Sequence, residues 1–182
     1  DVVQIVTEKP PQYAYEPGQA TDVAINQAGW ETAKRPFTFT GLPTDEHLQF
    51  TIKTYPERQG VTNRLLTLQV GDELLLHDVY GAISYHGEGV FIAGGAGVTP
   101  FIAILRHLHA QNAIGNNMLI CANKTKADII LESEFRELLG SNFINILSDE
   151  KAAGYAHGQI SAAFLNANKN GTPPLYYVCG PP

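Results

Sequence analysis

Through residues 1–85 apolar positions come in short runs, several of them alternating with polar ones, and turn residues separate the runs. In RPFTFT, Phe37 and Phe39 alternate with Thr38 and Thr40, the period-2 pattern of a strand with two unlike faces. VVQIVTE, TDVAIN, HLQFTIKTY and DELLLHDV read as further strands, punctuated by Pro10-Pro11, Pro17-Gly18, Gly41-Leu42-Pro43 and Gly71-Asp72. Such spacing predicts an antiparallel β-barrel. One helical interruption is expected at VTNRLLTLQV, where Leu65, Leu66 and Leu68 make an apolar stripe ahead of Gly71.

From about residue 86 the rhythm changes to apolar runs alternating with longer amphipathic segments. GVFIAGG reads as a buried strand and TPFIAILRHLHAQ as a helix, with Thr99 as its N-cap and Pro100 at its first position. Strand NMLICAN, helix ILESEFRELLG, strand FINILSD, helix ISAAFLNAN and strand PLYYVCG follow. Strands and helices in alternation predict a parallel sheet with covering helices. The expected architecture is therefore a β-barrel, residues 1–86, followed by a doubly wound α/β domain, residues 87–182. No internal repeat or low-complexity tract interrupts it.

Composition narrows the classes further. The 182 residues are 44% hydrophobic and 16% charged, an ordinary globular balance, with no apolar run near the ~20 residues of a membrane-spanning helix. A net charge of −6 with scattered Lys and Arg gives no basic face for nucleic acid. Cys121 and Cys179 lie far apart without a CxxC pattern, which argues against an iron–sulfur or zinc site and suits a reduced, cytoplasmic setting. His107 and His109, two apart on the expected helix, point to different faces and are not read as metal ligands.

Candidate chemistry begins at AGGAGVTP, residues 93–100, between an expected strand and an expected helix. Gly94, Gly95 and Gly97 clear side chains from the turn, and the helix start offers N–H groups and a positive dipole end to a dinucleotide pyrophosphate. The alternative is a tight connection and nothing more. No Gly-Lys-Ser/Thr follows, which disfavours nucleotide hydrolysis. At other expected strand ends stand Asn123, Lys124, Thr125 and Lys126, where an adenosine ribose would lie, and Cys179-Gly180-Pro181-Pro182. Taken in isolation the first group reads more readily as a solvated loop; the second leaves room for a flat ring to approach.

An aromatic flanked by Arg and Thr on a barrel strand, a glycine-rich turn ending in Thr-Pro, and a terminal Cys-Gly-Pro-Pro occur here in that order. In this ordered set the sequence resembles the ferredoxin–NADP reductase superfamily of flavoenzymes, most closely its flavodoxin reductase and cytochrome b5 reductase-like branches. The likeness runs over nearly the whole chain. It implies that Arg35-Pro36-Phe37-Thr38 is the flavin motif, with Arg35 on the flavin phosphate, Phe37 against the isoalloxazine and Thr38 near its N5. Phe37 stands where the family usually has Tyr, keeping the ring and losing a hydroxyl. By the same resemblance Ile52, Lys53 and Tyr55 line FAD, and Gly60, Val61 and Thr62 hold its pyrophosphate through backbone N–H groups. Gly94, Gly95, Gly97, Thr99 and Pro100 take the pyridine nucleotide, Asn123, Lys124 and Thr125 its adenosine side, and Cys179, Gly180 and Pro181 the nicotinamide. Thr38 and Cys179 are the expected catalytic residues.

The implied activity is hydride transfer from NAD(P)H to FAD and electron transfer to an external acceptor, first of all flavodoxin or ferredoxin. Lys124 and Lys126 tilt the expected nucleotide towards NADPH over NADH. Two alternatives stand beside it: the reductase component of an oxygenase or a free flavin reductase, and a binding module without turnover, against which Thr38 and Cys179 argue. Set beside the family, the chain is expected to lack a first barrel strand and a final helix and strand.

Overall fold

A computed structural model describes residues 2–55, 57, 59–168 and 175–181. The first half is antiparallel. β1 (Val2–Glu8) pairs with β4 (His47–Lys53), and β2 (Ala20–Ile25) lies between β3 (Arg35–Thr38) and β5 (Leu74–Tyr80). A single bridge between Phe39 and Phe50 joins the two ladders, so the five strands form a barrel-like but unclosed sheet. Alternation decides the inward face: Leu48, Phe50 and Ile52 of β4 are buried, with Phe39, Val23 and Ile25. Tyr15 stacks on Phe39 at 4.0 Å between ring centroids, and Phe50 tilts against it at 5.2 Å.

The expected helix over residues 61–70 is reduced to α1 (Val61–Arg64) and a 3-10 turn, Leu65–Thr67. Val61 and Leu65 are buried in the barrel core, whereas Leu66 is exposed and Leu68 is already extended. One anchored turn, rather than a continuous apolar stripe, is what this core can cover.

The second half is a parallel sheet in the order β10-β6-β7-β8-β9: β6 (Val90–Gly94), β7 (Met118–Asn123), β8 (Phe143–Leu147), β9 (Ala156–His157) and β10 (Tyr176–Cys179). β9 has two residues, too few for a periodic signal. α2 (Thr99–Ala110) is buried along Pro100–Leu105 and packs with α3 (Glu132–Leu139) on one face of the sheet. Ile160 and two residues of α4 (Ala162–Asn168), Phe164 and Leu165, cover Val90, Met118 and Ile120 on the other. The doubly wound expectation is met. No helix among the described residues is long and apolar enough to cross a membrane.

Thr99 is not an N-cap. A 3-10 turn, Gly95–Val98, runs straight into α2, Val98 occupies the cap position with helical dihedrals, and the Thr99 hydroxyl donates to the Ala96 carbonyl at 3.0 Å. Because the turn is already helical, its own carbonyl takes the hydroxyl that a cap would have aimed at backbone N–H groups.

Candidate active site

The sheet order places a reversal beside β6. The chain steps outward through β7, β8 and β9 and returns to the opposite side of β6 as β10, so the crevice lies outside the carboxyl ends of β6 and β10. There the two strand ends interlock backbone to backbone. A Cβ on Gly97 would fall 2.2 Å from the Cys179 carbonyl oxygen, and one on Gly180 would fall 2.8 Å from the Gly94 nitrogen. Gly95 differs: its φ is +51°, and a Cβ there would meet nothing within 4 Å. The glycines therefore divide by task. Gly97 and Gly180 let the strand ends close on each other, while Gly95 leaves an uncovered turn that a ligand can approach.

The first half reaches this crevice through β3. The Thr99 hydroxyl lies 3.4 Å from the Thr38 hydroxyl, so the end of β3 touches the start of α2. Phe37 is half-buried against the barrel core, and Arg35 and Pro36 are exposed. The Arg35 guanidinium turns back on the Lys34 carbonyl at 2.7 Å, leaving two successive cationic side chains at the open start of the strand. Cys179 is half-buried and burial raises its pKa above the ordinary thiol value, so it stands as a neutral, compact group at neutral pH.

Of the flavin-side residues, Ile52 is buried in the barrel core. The ammonium of Lys53, expected to line the cofactor, pairs with Asp128 at 2.7 Å and links the end of β4 to the turn after β7. Gly60 is extended at the head of α1, and its carbonyl accepts from Asn63 and Arg64, so Val61 and Thr62 supply the N–H groups that a first helical turn leaves over. Tyr55 follows β4 in the same stretch.

On the adenosine side the loop after β7 is more occupied than its composition suggests. Thr125 and Asp128 form a reciprocal cap, the Thr125 hydroxyl donating to the Asp128 carboxylate at 2.8 Å. Lys126 donates its backbone N–H to the Glu150 carboxylate at 2.7 Å and holds its ammonium 5.5 Å from the Tyr155 ring centroid. Lys124 is exposed, and the buried Asn123 Oδ1 has no hydrogen-bond partner among the described residues. Asp128, Glu150 and Tyr155 were not singled out from sequence. Thr-x-x-Asp was a readable capping pattern, but only the β8 fold-back brings Glu150 to Lys126. Among the described residues no three His, Cys, Asp or Glu side chains gather as a metal site.

The open turn at Gly95, the paired strand ends and the exposed cations at β3 fit a dinucleotide and a flavin phosphate. Residues 91–182 match the family described as oxidoreductase NAD-binding domain. The chain is 29% identical over 161 residues to the rat protein named NADH-cytochrome b5 reductase 2, covering 70% of this chain and 57% of that one. It is 27% identical over 195 residues to the reductase component of propane 2-monooxygenase from Rhodococcus jostii, covering 99% and 52%. It thus spans just over half the length of these relatives. The crystal structure of a ferredoxin NADP+ reductase from Neisseria gonorrhoeae with bound FAD and NADP superposes with a TM-score of 0.80 at 16% identity, over 97% of this chain and 77% of that one. With its second half matched from the first sheet strand to the last residue and both halves carrying the ferredoxin–NADP reductase architecture, the chain belongs to the oxidoreductase NAD-binding domain family.

Proposed function

We propose that this chain is the catalytic body of an NAD(P)H-dependent flavoprotein reductase that passes electrons to an external acceptor. The observation that carries this is the 3.4 Å contact between Thr38, in the expected flavin motif, and Thr99, at the end of the glycine turn. It brings the two expected cofactor sites to one crevice.

FAD, when bound, accepts hydride from the reduced nicotinamide and releases electrons singly to the next carrier. Everything else falls to the chain. Arg35 holds the flavin phosphate by charge-assisted hydrogen bonds, with the N–H groups of Val61 and Thr62 on its pyrophosphate. Phe37 packs the ring, and Ile52, Lys53 and Tyr55 close the flank. Gly95 admits the pyridine-nucleotide backbone, and Thr38 offers a hydroxyl where the reacting atoms meet. Cys179, neutral and small, lets the nicotinamide lie close without competing for its charge. Such placement matters because near-attack geometry supplies much of the rate.

Lys124 and Lys126 favour the 2′-phosphate of NADPH, whereas the Glu150 carboxylate beside Lys126 opposes it and favours NADH. Flavodoxin or ferredoxin is the acceptor of the primary reading. The match to a monooxygenase reductase component over nearly the whole chain favours a second one, delivery to an oxygenase.

The deciding experiment is the visible spectrum of the purified chain reconstituted with FAD, followed anaerobically with NADH and with NADPH. A flavin band bleached by either nucleotide is expected, and the faster one names the donor. A chain that retains no flavin would leave the binding-module alternative without its ligand and overturn the reductase reading. Reoxidation by flavodoxin or ferredoxin, against reoxidation only by an oxygenase component, separates the two acceptor classes.

A further inference from the structure

Arg106 lies two helical turns beyond Thr99 on α2, so both side chains leave the same helix face. Its side chain is four-fifths buried, with 19% exposed. Nε and Nη2 grip Glu134 of α3 in a fork at 2.5 and 2.8 Å. Nη1 crosses to the first half of the chain, donating to the Thr40 carbonyl at 2.6 Å and to Gln49 Oε1 at 3.0 Å. Thr40 itself cannot shift freely. It is fully buried, its N–H donates to the Gln49 carbonyl at 2.8 Å, and its hydroxyl lies 3.0 Å from that of Thr51.

α2 therefore holds the segment Thr38–Thr40 at two points: Thr99 at Thr38, and Arg106 at Thr40. The same helix begins at the glycine turn. Any rotation of one half against the other has to move Thr38 relative to Gly95 and Cys179, and the Arg106 fork opposes that motion. Resting on the reductase reading, we propose that Arg106 is a positioning residue: it sets the register between the flavin-side strand β3 and the nicotinamide-side crevice without touching either reactant. Arginine is required because only its planar guanidinium offers a two-pronged face to Glu134 while a further N–H points along a separate line to Thr40. A lysine ammonium can satisfy one side only.

The test uses the full chain as Arg106→Lys, with Glu134→Gln as a milder second variant that keeps the side-chain shape and removes the charge anchoring the fork. Two readouts are taken. In the cofactor-free chain, amide hydrogen exchange at Phe39 and Thr40 is expected to rise about tenfold or more in Arg106→Lys, with the buried amides of α2 unchanged. In the FAD-loaded chain, single-turnover flavin reduction is expected to fall about 10–100-fold, since ångström-scale misplacement has costs of that order. Flavin content and nucleotide affinity should stay within about twofold, and Glu134→Gln should fall between the two proteins in both readouts. Unchanged exchange at Phe39 and Thr40, or a reduction rate equal to that of the unaltered chain, would overturn the proposal. So would a rate that falls only in proportion to lost flavin. An unaltered chain that is never bleached by NADH or NADPH removes the reductase reading itself, an outcome recognisable before any variant is made.

Discussion

The hydroxyls of Thr38 and Thr99 lie 3.4 Å apart, although 61 positions separate them in the chain. A barrel strand and the helix behind a glycine turn thus share one point. If Thr38 acts at the reacting atoms, Thr38→Val should retain flavin and slow its reduction by NAD(P)H about 100–1,000-fold, the effect of losing one well-placed donor. Stopped-flow bleaching of the flavin band measures this, and an equal rate would remove Thr38 from the chemistry.

Gly97 and Gly95 should respond differently to the same added methyl group. At Gly97 the new Cβ would meet the Cys179 carbonyl at 2.2 Å, so Gly97→Ala is expected to destabilise the fold by about 1–3 kcal/mol. Gly95→Ala meets no atom but must hold a φ of +51°, a strain of about 1 kcal/mol. It should fold, with nucleotide affinity as the property that suffers. Thermal unfolding, at about 2–4 °C per kcal/mol for a chain of this size, and nucleotide titration separate the two.

The Lys53–Asp128 pair gives a pH dependence of defined sign. The hydrogen bond from Lys53 leads in holding the Asp128 carboxyl below its ordinary value, with the Thr125 cap adding to it and partial burial opposing both. A depressed carboxylate stabilises the folded state above its unfolded pKa, and that contribution is lost as pH falls below about 4 through the folded value. Asp128→Asn should cost about 1 kcal/mol at pH 7 and flatten the acid limb of the stability curve. Denaturant titrations at pH 7 and pH 3 check both statements, and a variant whose acid limb is unchanged would count against the pair.

Cys179 should behave as a placed thiol rather than a reactive one. Burial raises its pKa, so alkylation by iodoacetamide at pH 8 is expected to be slower than that of free cysteine. Cys121, pushed up to about 12 by burial, should not react until the chain unfolds. Cys179→Ala is expected to leave flavin bound and slow its reduction; rates equal in both proteins would deny the thiol a part in aligning the nicotinamide.

Arg35→Ala should weaken flavin retention about 10–100-fold, the range for losing a charge-assisted contact. Flavin fluorescence on dilution reads the dissociation constant. Unchanged retention would assign the phosphate to other groups.

The strands and helices themselves were legible, because each follows from a local rule. Phe50 and Ile52 alternate with polar neighbours, α2 carries an apolar stripe behind Pro100, and the glycine turn falls where a strand gives way to a helix. The ordered motifs at residues 35–38, 93–100 and 179–182 carried a resemblance to the ferredoxin–NADP reductase superfamily, and that resemblance, not a local rule, implied a flavin reductase. What the sequence could not settle depended on partners distant in the chain. Thr99 reads as a cap until the preceding 3-10 turn takes its hydroxyl, and nothing near Lys53 in the chain announces its pairing with Asp128. Nor does anything beside Lys126 in the chain announce that β8 brings the Glu150 carboxylate to its backbone N–H. Arg106 carries no local signal at all. Hydrophobic periodicity is a property of neighbours along the chain and survives in any sequence window. An ion pair or a hydrogen bond between halves exists only once packing has fixed which surfaces meet, and in this protein packing alone decided how the two halves register at the crevice.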